Sequence, residues 1–185
     1  MGYSKSDKAE THARIVRVAA KRFRELGLEG IGVADVMKEA GVTVGGFYKH
    51  FESRDELVVE ALAAAFLDLD RCEEHTDTPT KALKSYLSEE HRDAPGTGCA
   101  LGALLGDMSR ASRSAKAVYT ARLKRTLAYL AGLGPPNGNP DRRARAILTV
   151  SAMLGAINLS RAVSDPKLSQ EILQRTRDEL VSLNR

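Results

Sequence analysis

Apolar residues recur at helical spacing along the chain, and glycine and proline divide the pattern into separate helices. The first stretch predicts a helix that is capped by Thr11 and stopped by Gly27. A second stretch, over residues 33–40, ends at Gly41. Thr43 then restarts the pattern, and its hydroxyl is placed to cap a helix over residues 43–50. Two short helices are therefore predicted around a tight turn.

The rest of the chain continues in helical segments. Ser53 is predicted to cap a long helix that continues to about Cys72. Further helices are predicted over residues 81–91, 99–108, 112–131, 141–163 and 168–183. The breakers between them lie at 94–96, 134–138 and 165–166. No alternating run is bounded by hairpin turns, so the predicted fold class is all-α.

Composition indicates a globular protein. The 185 residues, 43% of them hydrophobic and 28% charged, suffice for a substantial core. A net charge of +4 favours a polyanionic partner, although many surface-basic enzymes share it. The longest uncharged stretch, residues 146–160, falls short of the ~20 apolar residues that cross a bilayer. Cys72 and Cys99 lie far apart without a signal-peptide pattern, so a cytoplasmic protein without disulfides is expected.

Residues 33–51 are the candidate DNA-binding segment, because a helix-turn-helix requires two helices around a tight turn such as the one at Gly41. The second helix must enter the major groove with small residues first and donors for bases and phosphates after them. Seven residues follow this order along the chain and are the candidate DNA contacts: Thr43, Val44, Gly45, Gly46, Tyr48, Lys49 and His50. Two adjacent glycines each cost about 1 kcal/mol relative to alanine inside a helix. A requirement other than helix propensity therefore placed them there.

Ordinary structural explanations stay open for some of these positions. Tyr48 is also consistent with a half-buried aromatic residue, and Lys49 and His50 with solvated charge. Lys5 and Lys8 precede the first helix, either as an arm that reaches DNA or as a disordered terminus.

Residues 11–62 resemble the tetracycline-repressor (TetR/AcrR) family of one-component regulators. The resemblance rests on the turn at 40–42, the Gly-x-Phe-Tyr-x-His-Phe string at 45–51 and the helix start at Ser53, in order and at the family spacing. It implies about nine helices, with the third reading DNA, and a divergent C-terminal domain that dimerises and binds a ligand. One departure is Ile31-Gly32, where many relatives have Thr or Ser as cap and phosphate contact.

The resemblance also implies roles by position. Thr43 caps the recognition helix and contacts phosphate, Val44 and Gly46 face base edges, and Tyr48 and His50 bind phosphates, with Lys49 in reach of either. Residues 1–52 are then a helix-turn-helix DNA-binding domain and residues 53–185 a helical effector-binding and dimerisation domain. The last two long helices form the dimer interface through the apolar residues Ile147, Val150, Leu154, Ile157 and Leu173.

The expected function is therefore transcriptional repression by a homodimer on near-palindromic double-stranded operator DNA. A small-molecule or electrophilic effector is expected to relieve the repression. No cofactor, metal, membrane or enzyme activity is expected. The rival interpretation is a small helical enzyme with an incidental basic N-terminus, but the sequence has neither a nucleophile elbow nor an HExxH motif.

Cys99 and His91 are the candidate effector-sensing residues. Cys99 is predicted at a helix start, where the helix dipole lowers the pKa of a thiol and Arg92 can assist. The alternative is a small buried hydrophobe. Glycines at every fourth residue over 98–106 predict a flat helical stripe packed near a ligand cavity. His12, His75 and His91 lack metal-ligand spacing.

Overall fold

The computed structural model describes residues 5–74, 78–133 and 141–183, and these residues confirm the all-α prediction. They form eleven helical segments rather than about nine. In chain order these are α1 Lys5–Leu26, α2 Val33–Glu39, a 3-10 helix Val44–Lys49, α3 Arg54–Glu74, α4 Pro79–Tyr86, α5 Glu89–Asp93, α6 Ala100–Ala103, α7 Leu105–Met108, α8 Arg113–Gly132, α9 Arg142–Ala162 and α10 Pro166–Leu183. The predicted breaker at 134–138, His75 and the Cys72 side chain lie outside the described part.

Helix α1 begins earlier than its apolar pattern predicts. Thr11 lies inside the helix and is buried, so its prediction as the N-cap is wrong. The preceding residues include Lys, Ala and Glu, which are good helix formers, and they extend the helix back to Lys5. Lys8 is consequently helical rather than part of a flexible arm. The predicted stop is confirmed, because Gly27 adopts a left-handed φ of +79° that favours glycine.

The predicted helix-turn-helix is present with one change. Gly41 turns the chain with a φ of +70°, and Gly32 is the N-cap of α2. The helix after the turn is a 3-10 helix, and the Thr43 hydroxyl makes no capping bond, so the predicted α-helix with a Thr43 side-chain cap is wrong. Two glycines in six residues leave little α-helical preference there. Ser53 does cap α3, since its Oγ accepts a hydrogen bond from the Glu56 N–H at 3.1 Å.

Two predicted helices in the middle of the chain are each divided. Residues 81–91 form α4 and α5, because Ser88 caps a new helix by accepting from the His91 N–H at 3.1 Å. Residues 99–108 form α6 and α7, which meet at Leu104. The prediction that the glycines over 98–106 share one packed helical face is wrong. Gly98 lies in a turn before α6, and Gly106 faces open space.

One apolar core connects the N-terminal helices to the rest. Helix α1 packs across α3, and α3 packs against α8, which in turn packs on α9. Buried residues of this core include Ile15, Phe23, Val36, Phe51, Leu57, Leu62, Leu101, Leu154. A second cluster joins α4, α9 and α10 through Leu83, Leu87, Ile157 and Leu173. Burial of these side chains is the main favourable term that holds the helices together.

The same burial corrects the predicted dimer interface. Val150, Leu154, Ile157 and Leu173 are all at most 7% exposed within a single chain, so they are core residues and not interface residues. The apolar residues that recur along α9 thus identify the face that packs against the rest of the same chain. Ile147 is 46% exposed and stays a predicted interface residue. None of the helices in the described residues is long and apolar enough to span a membrane.

Candidate functional site

The 3-10 helix presents one face to solvent and buries the other. Tyr48 is 79% exposed and Val44 is 52% exposed. Phe47 and Phe51 are buried, and their rings stack with centroids 5.4 Å apart. The two phenylalanines anchor the segment to the core and thereby hold the Val44 and Tyr48 side chains outward. An exposed Val and Tyr on a short helix after a tight turn is the geometry that a groove-reading element needs.

The remaining predicted contact residues lie on or beside this face. Thr43, Gly45 and Lys49 are exposed, whereas Gly46 and His50 are half-buried. A Cβ at Gly45 would have no neighbour within 4 Å, and a Cβ at Gly46 would lie 3.7 Å from the Thr43 Oγ1. Neither glycine is therefore required by packing within the chain.

His50 is less available than its motif position suggests. Its ring lies 5.9 Å from the His12 ring, and its Nδ1 is buried with no hydrogen-bond partner among the described residues. Burial and the neighbouring His12, Lys8 and Lys49 lower the pKa of His50, so the ring is held neutral. A neutral His50 ring can offer a hydrogen bond to a phosphate but no positive charge.

Polar contacts that the sequence reasoning missed fix the N-terminal helices to each other. The Arg14 Nε donates to the Ala40 carbonyl at 2.9 Å, and the Arg22 Nε donates to the Glu39 carboxylate at 2.6 Å. His12 contacts the Glu60 carboxylate at 2.6 Å. A basic residue at helical spacing is equally consistent with a solvated face, so the sequence carried no signal for these pairs.

A cavity of about 820 Å³ lies among α3, α4, α5, α8 and α9. Most of its wall is apolar, with Leu69, Leu101, Leu130, Val150, Met153 and Leu154. Its polar lining residues include Tyr86, His91, Cys99 and Thr126. A cavity of this size with an apolar wall and a few polar groups is typical of small-molecule sites.

His91 is one of the cavity residues predicted from the sequence, and its ring connects two helices. Its Nδ1 donates to the Tyr86 carbonyl at 2.7 Å, and its Nε2 accepts from the Cys99 N–H at 3.0 Å. Burial lowers the pKa of His91, which the hydrogen bond to Tyr86 only partly offsets. His91 is thus a neutral ring with both nitrogens in use.

Cys99 lines the cavity but is not the activated thiol that its position predicts. Burial raises the pKa of its thiol, outweighing the opposing effects of the Gly102 and Leu101 N–H groups and the Tyr86 hydroxyl. Helix α6 has only four residues, so its dipole is small. Arg92 gives no assistance, since it bonds to Asp93 at 2.7 Å and Ser169 at 3.1 Å. The prediction of a lowered pKa is wrong.

The wall of the cavity also contacts α1. Arg24 is buried, and its guanidinium donates to the carbonyl of Gly98, a cavity residue, at 3.2 Å. Asp107 accepts from the Leu28 N–H at 3.0 Å. Helix α1 therefore contacts the cavity wall through Arg24 and the end of α2 through the Arg14 bond to Ala40. Sequence spacing gave no indication of these contacts.

Comparison with known proteins agrees with this geometry. Residues 15–61 match the family model described as "Bacterial regulatory proteins, tetR family". This N-terminal part of the chain is thus similar to the tetR family of bacterial regulatory proteins. The repressor DhaR of Mycobacterium sp. (strain GP1) is 31% identical over 93 residues, covering 48% of this chain and 47% of DhaR. The repressor KstR2 of Rhodococcus jostii is 30% identical over 123 residues, covering 66% of this chain and 55% of KstR2.

The chain thus spans about half the length of the curated TetR-family relatives that it matches. Solved structures extend the likeness in fold to nearly the whole chain. A TetR regulator from Chloroflexus aurantiacus aligns over 96% of this chain and 95% of its own with a TM-score of 0.80 at 20% identity. One from Agrobacterium tumefaciens has a TM-score of 0.75 at 16% identity, over 93% of this chain and 98% of its own.

Proposed function

We propose that this protein is a sequence-specific transcriptional repressor that binds a near-palindromic operator as a homodimer and releases it when a small molecule occupies the cavity. The observation that carries the proposal is the exposed Val44 and Tyr48 over the buried Phe47 and Phe51. That arrangement offers side chains and an open glycine backbone to a major groove. The relatives DhaR and KstR2 are named as transcriptional repressors, which supports the same activity for this chain.

Effector binding is assigned to the cavity that Cys99 and His91 line. Its apolar wall favours a mainly apolar ligand, and Tyr86 and Thr126 offer hydrogen bonds. An occupant would press on the Gly98 wall, which Arg24 connects to α1. A ligand with different affinities for two arrangements of α1 would shift the population between them and change operator affinity.

Dimerisation is assigned to the second apolar face of α9 together with α10. Leu148 and Leu159 are more than half exposed, and Ala152 and Gly155 lie between them at helical spacing. Leu168 and Leu183 are exposed on α10. Two such helix pairs would bury these leucines in a four-helix bundle across a two-fold axis, which places two 3-10 helices on two half-sites.

Operator binding is tested by fluorescence anisotropy with DNA fragments from the region upstream of the coding sequence. We expect one fragment to bind at least a hundredfold more tightly than random DNA of the same length. Tyr48→Phe should weaken binding to operator and random DNA by the same factor, because a phosphate contact carries no sequence information. Val44→Ala should change the preferred base instead. Failure of all fragments and of a randomised DNA pool to show preferential binding would contradict the proposal.

A further inference from the structure

We propose that a second basic surface, formed by Arg110, Arg113 and Lys116, binds the DNA backbone beside the bases that the 3-10 helix reads. These residues lie in the turn between α7 and α8 and in the first turn of α8. The inference rests on the proposed DNA binding and extends its footprint to the larger helical domain.

The position of the surface follows from how α8 packs on α3. At the start of both helices, the Ser114 hydroxyl donates to the Asp55 carboxylate at 2.5 Å. Farther along both, Arg122 pairs with Asp70 and the Thr126 hydroxyl donates to Glu73 at 3.3 Å. The two helices therefore run in the same direction. Since α3 begins just after the 3-10 helix, the start of α8 lies at the end of the molecule that carries Tyr48.

A second contact fixes the same turn to the DNA-binding helices. The Asp107 carboxylate accepts from the Leu28 N–H at 3.0 Å, in the loop that leads to the N-cap of α2. Ser112 caps α8 by accepting from the Ala115 N–H at 3.1 Å. Because the backbone is held at both sides, the turn can present its cations to DNA with little further loss of conformational freedom.

The three cations of this surface make no ion pair among the residues that the structure describes. Arg110, Arg113 and Lys116 are exposed, and none of the three forms an ion pair with a residue in the described ranges. The Lys116 ammonium donates to the Ser109 carbonyl, at 2.9 Å. By contrast, the nearby Arg54 is paired with Glu29. Unpaired surface cations keep their full attraction for a polyanion.

Two acidic residues next to this surface, Asp55 and Glu56, accept hydrogen bonds from within the chain. Asp55 accepts from Ser114, and hydrogen bonds from Ser112 and Ser114 lower the pKa of its carboxyl group. Glu56 accepts from the Glu52 N–H at 2.5 Å. The first turn of α8 has no acidic residue, so its dipole adds positive potential to the surface. The combination favours DNA phosphates over an acidic protein, because the surface lies beside the groove-reading helix.

The test compares charge-neutralised variants with a matched control on operator DNA. Arg110→Gln, Arg113→Gln and the double variant each lose charge at the proposed surface. Lys124→Gln loses the same charge two turns or more farther along α8, on an exposed residue. Affinity is measured by anisotropy between 50 and 200 mM salt, on the full operator and on one shortened by five base pairs at each end.

Each lost phosphate contact should reduce the slope of log affinity against log salt by about 1, which is about a fourfold change over this salt range. Operator and random DNA should weaken equally, Arg113→Lys should retain the wild-type slope, and Lys124→Gln should behave as wild type. On the shortened operator, the difference between wild type and variants should disappear.

Two outcomes would overturn the inference while leaving the proposed function intact. In the first, the double variant keeps the wild-type salt slope although Lys49→Gln lowers it. In the second, Lys124→Gln lowers the slope as much as Arg113→Gln, which would mean that net charge alone is responsible. If wild type binds no operator at all, the proposed function itself fails. Melting curves confirm that each variant is folded.

Discussion

At the scale of single residues, the cavity lining shows how burial changes the chemistry that a sequence position suggests. His91 bonds the Tyr86 carbonyl of α4 with one ring nitrogen and the N–H of Cys99, the N-cap of α6, with the other, and it does so as a neutral ring. Cys99, predicted to be an activated thiol, is instead kept protonated by the same apolar surroundings. Both residues are suited to shape and line the cavity rather than to react.

The first prediction concerns acid stability. Because burial holds the pKa of His91 below its ordinary value of 6.5, the unfolded chain takes up this proton at a higher pH than the folded chain. The native state therefore loses stability as pH falls through 6.5 toward the folded pKa. His91→Gln should remove this part of the pH dependence, so its free energy of unfolding falls less than that of wild type between pH 7.5 and 5.5 in urea titrations. Equal losses for the two proteins would show that His91 is not responsible.

At the scale of elements, the 3-10 helix contains glycines that lower its local stability but leave its backbone open to DNA. Its glycines have φ values that other residues adopt, and added Cβ atoms would meet only open space or ordinary contacts. Gly45→Ala and Gly46→Ala should therefore leave the fold unchanged or stabilise it by about 0.5–1 kcal/mol. Operator affinity should fall at least tenfold, because the added methyl groups keep the backbone from the bases.

The matched control for these variants is Gly41→Ala. Gly41 has a φ of +70°, so alanine there should destabilise the protein by about 1–2 kcal/mol. Operator affinity measured on the folded fraction should then change little compared with Gly46→Ala. Urea unfolding and anisotropy separate the two effects. A Gly46→Ala variant that binds operator as wild type would remove that glycine from the reading surface.

At the scale of the whole molecule, the two apolar faces of α9 have different expected roles. Leu154 is in the protomer core, whereas Leu159 is 57% exposed. Leu159→Arg should give a folded monomer at micromolar concentration with at least a hundredfold weaker operator binding, because one subunit covers only a half-site. Leu154→Arg should unfold the chain, since it places an unpaired charge in the core. Sedimentation and circular dichroism measure both, and a dimeric Leu159→Arg protein would exclude that face.

The sequence by itself determined the all-α class, most helix ends and the position of the helix-turn-helix. Those features depend on local rules, namely apolar period, caps and the left-handed glycines at 27 and 41. Only the tertiary structure decided which apolar face of α9 is internal, because Leu154 and Leu159 are both apolar and only packing separates them. It also decided the protonation state of the Cys99 thiol. A place at a helix start favours a thiolate, but burial raises the pKa of this thiol. The contact of Arg24 with Gly98 joins residues 74 positions apart, and no local pattern encodes such a distance.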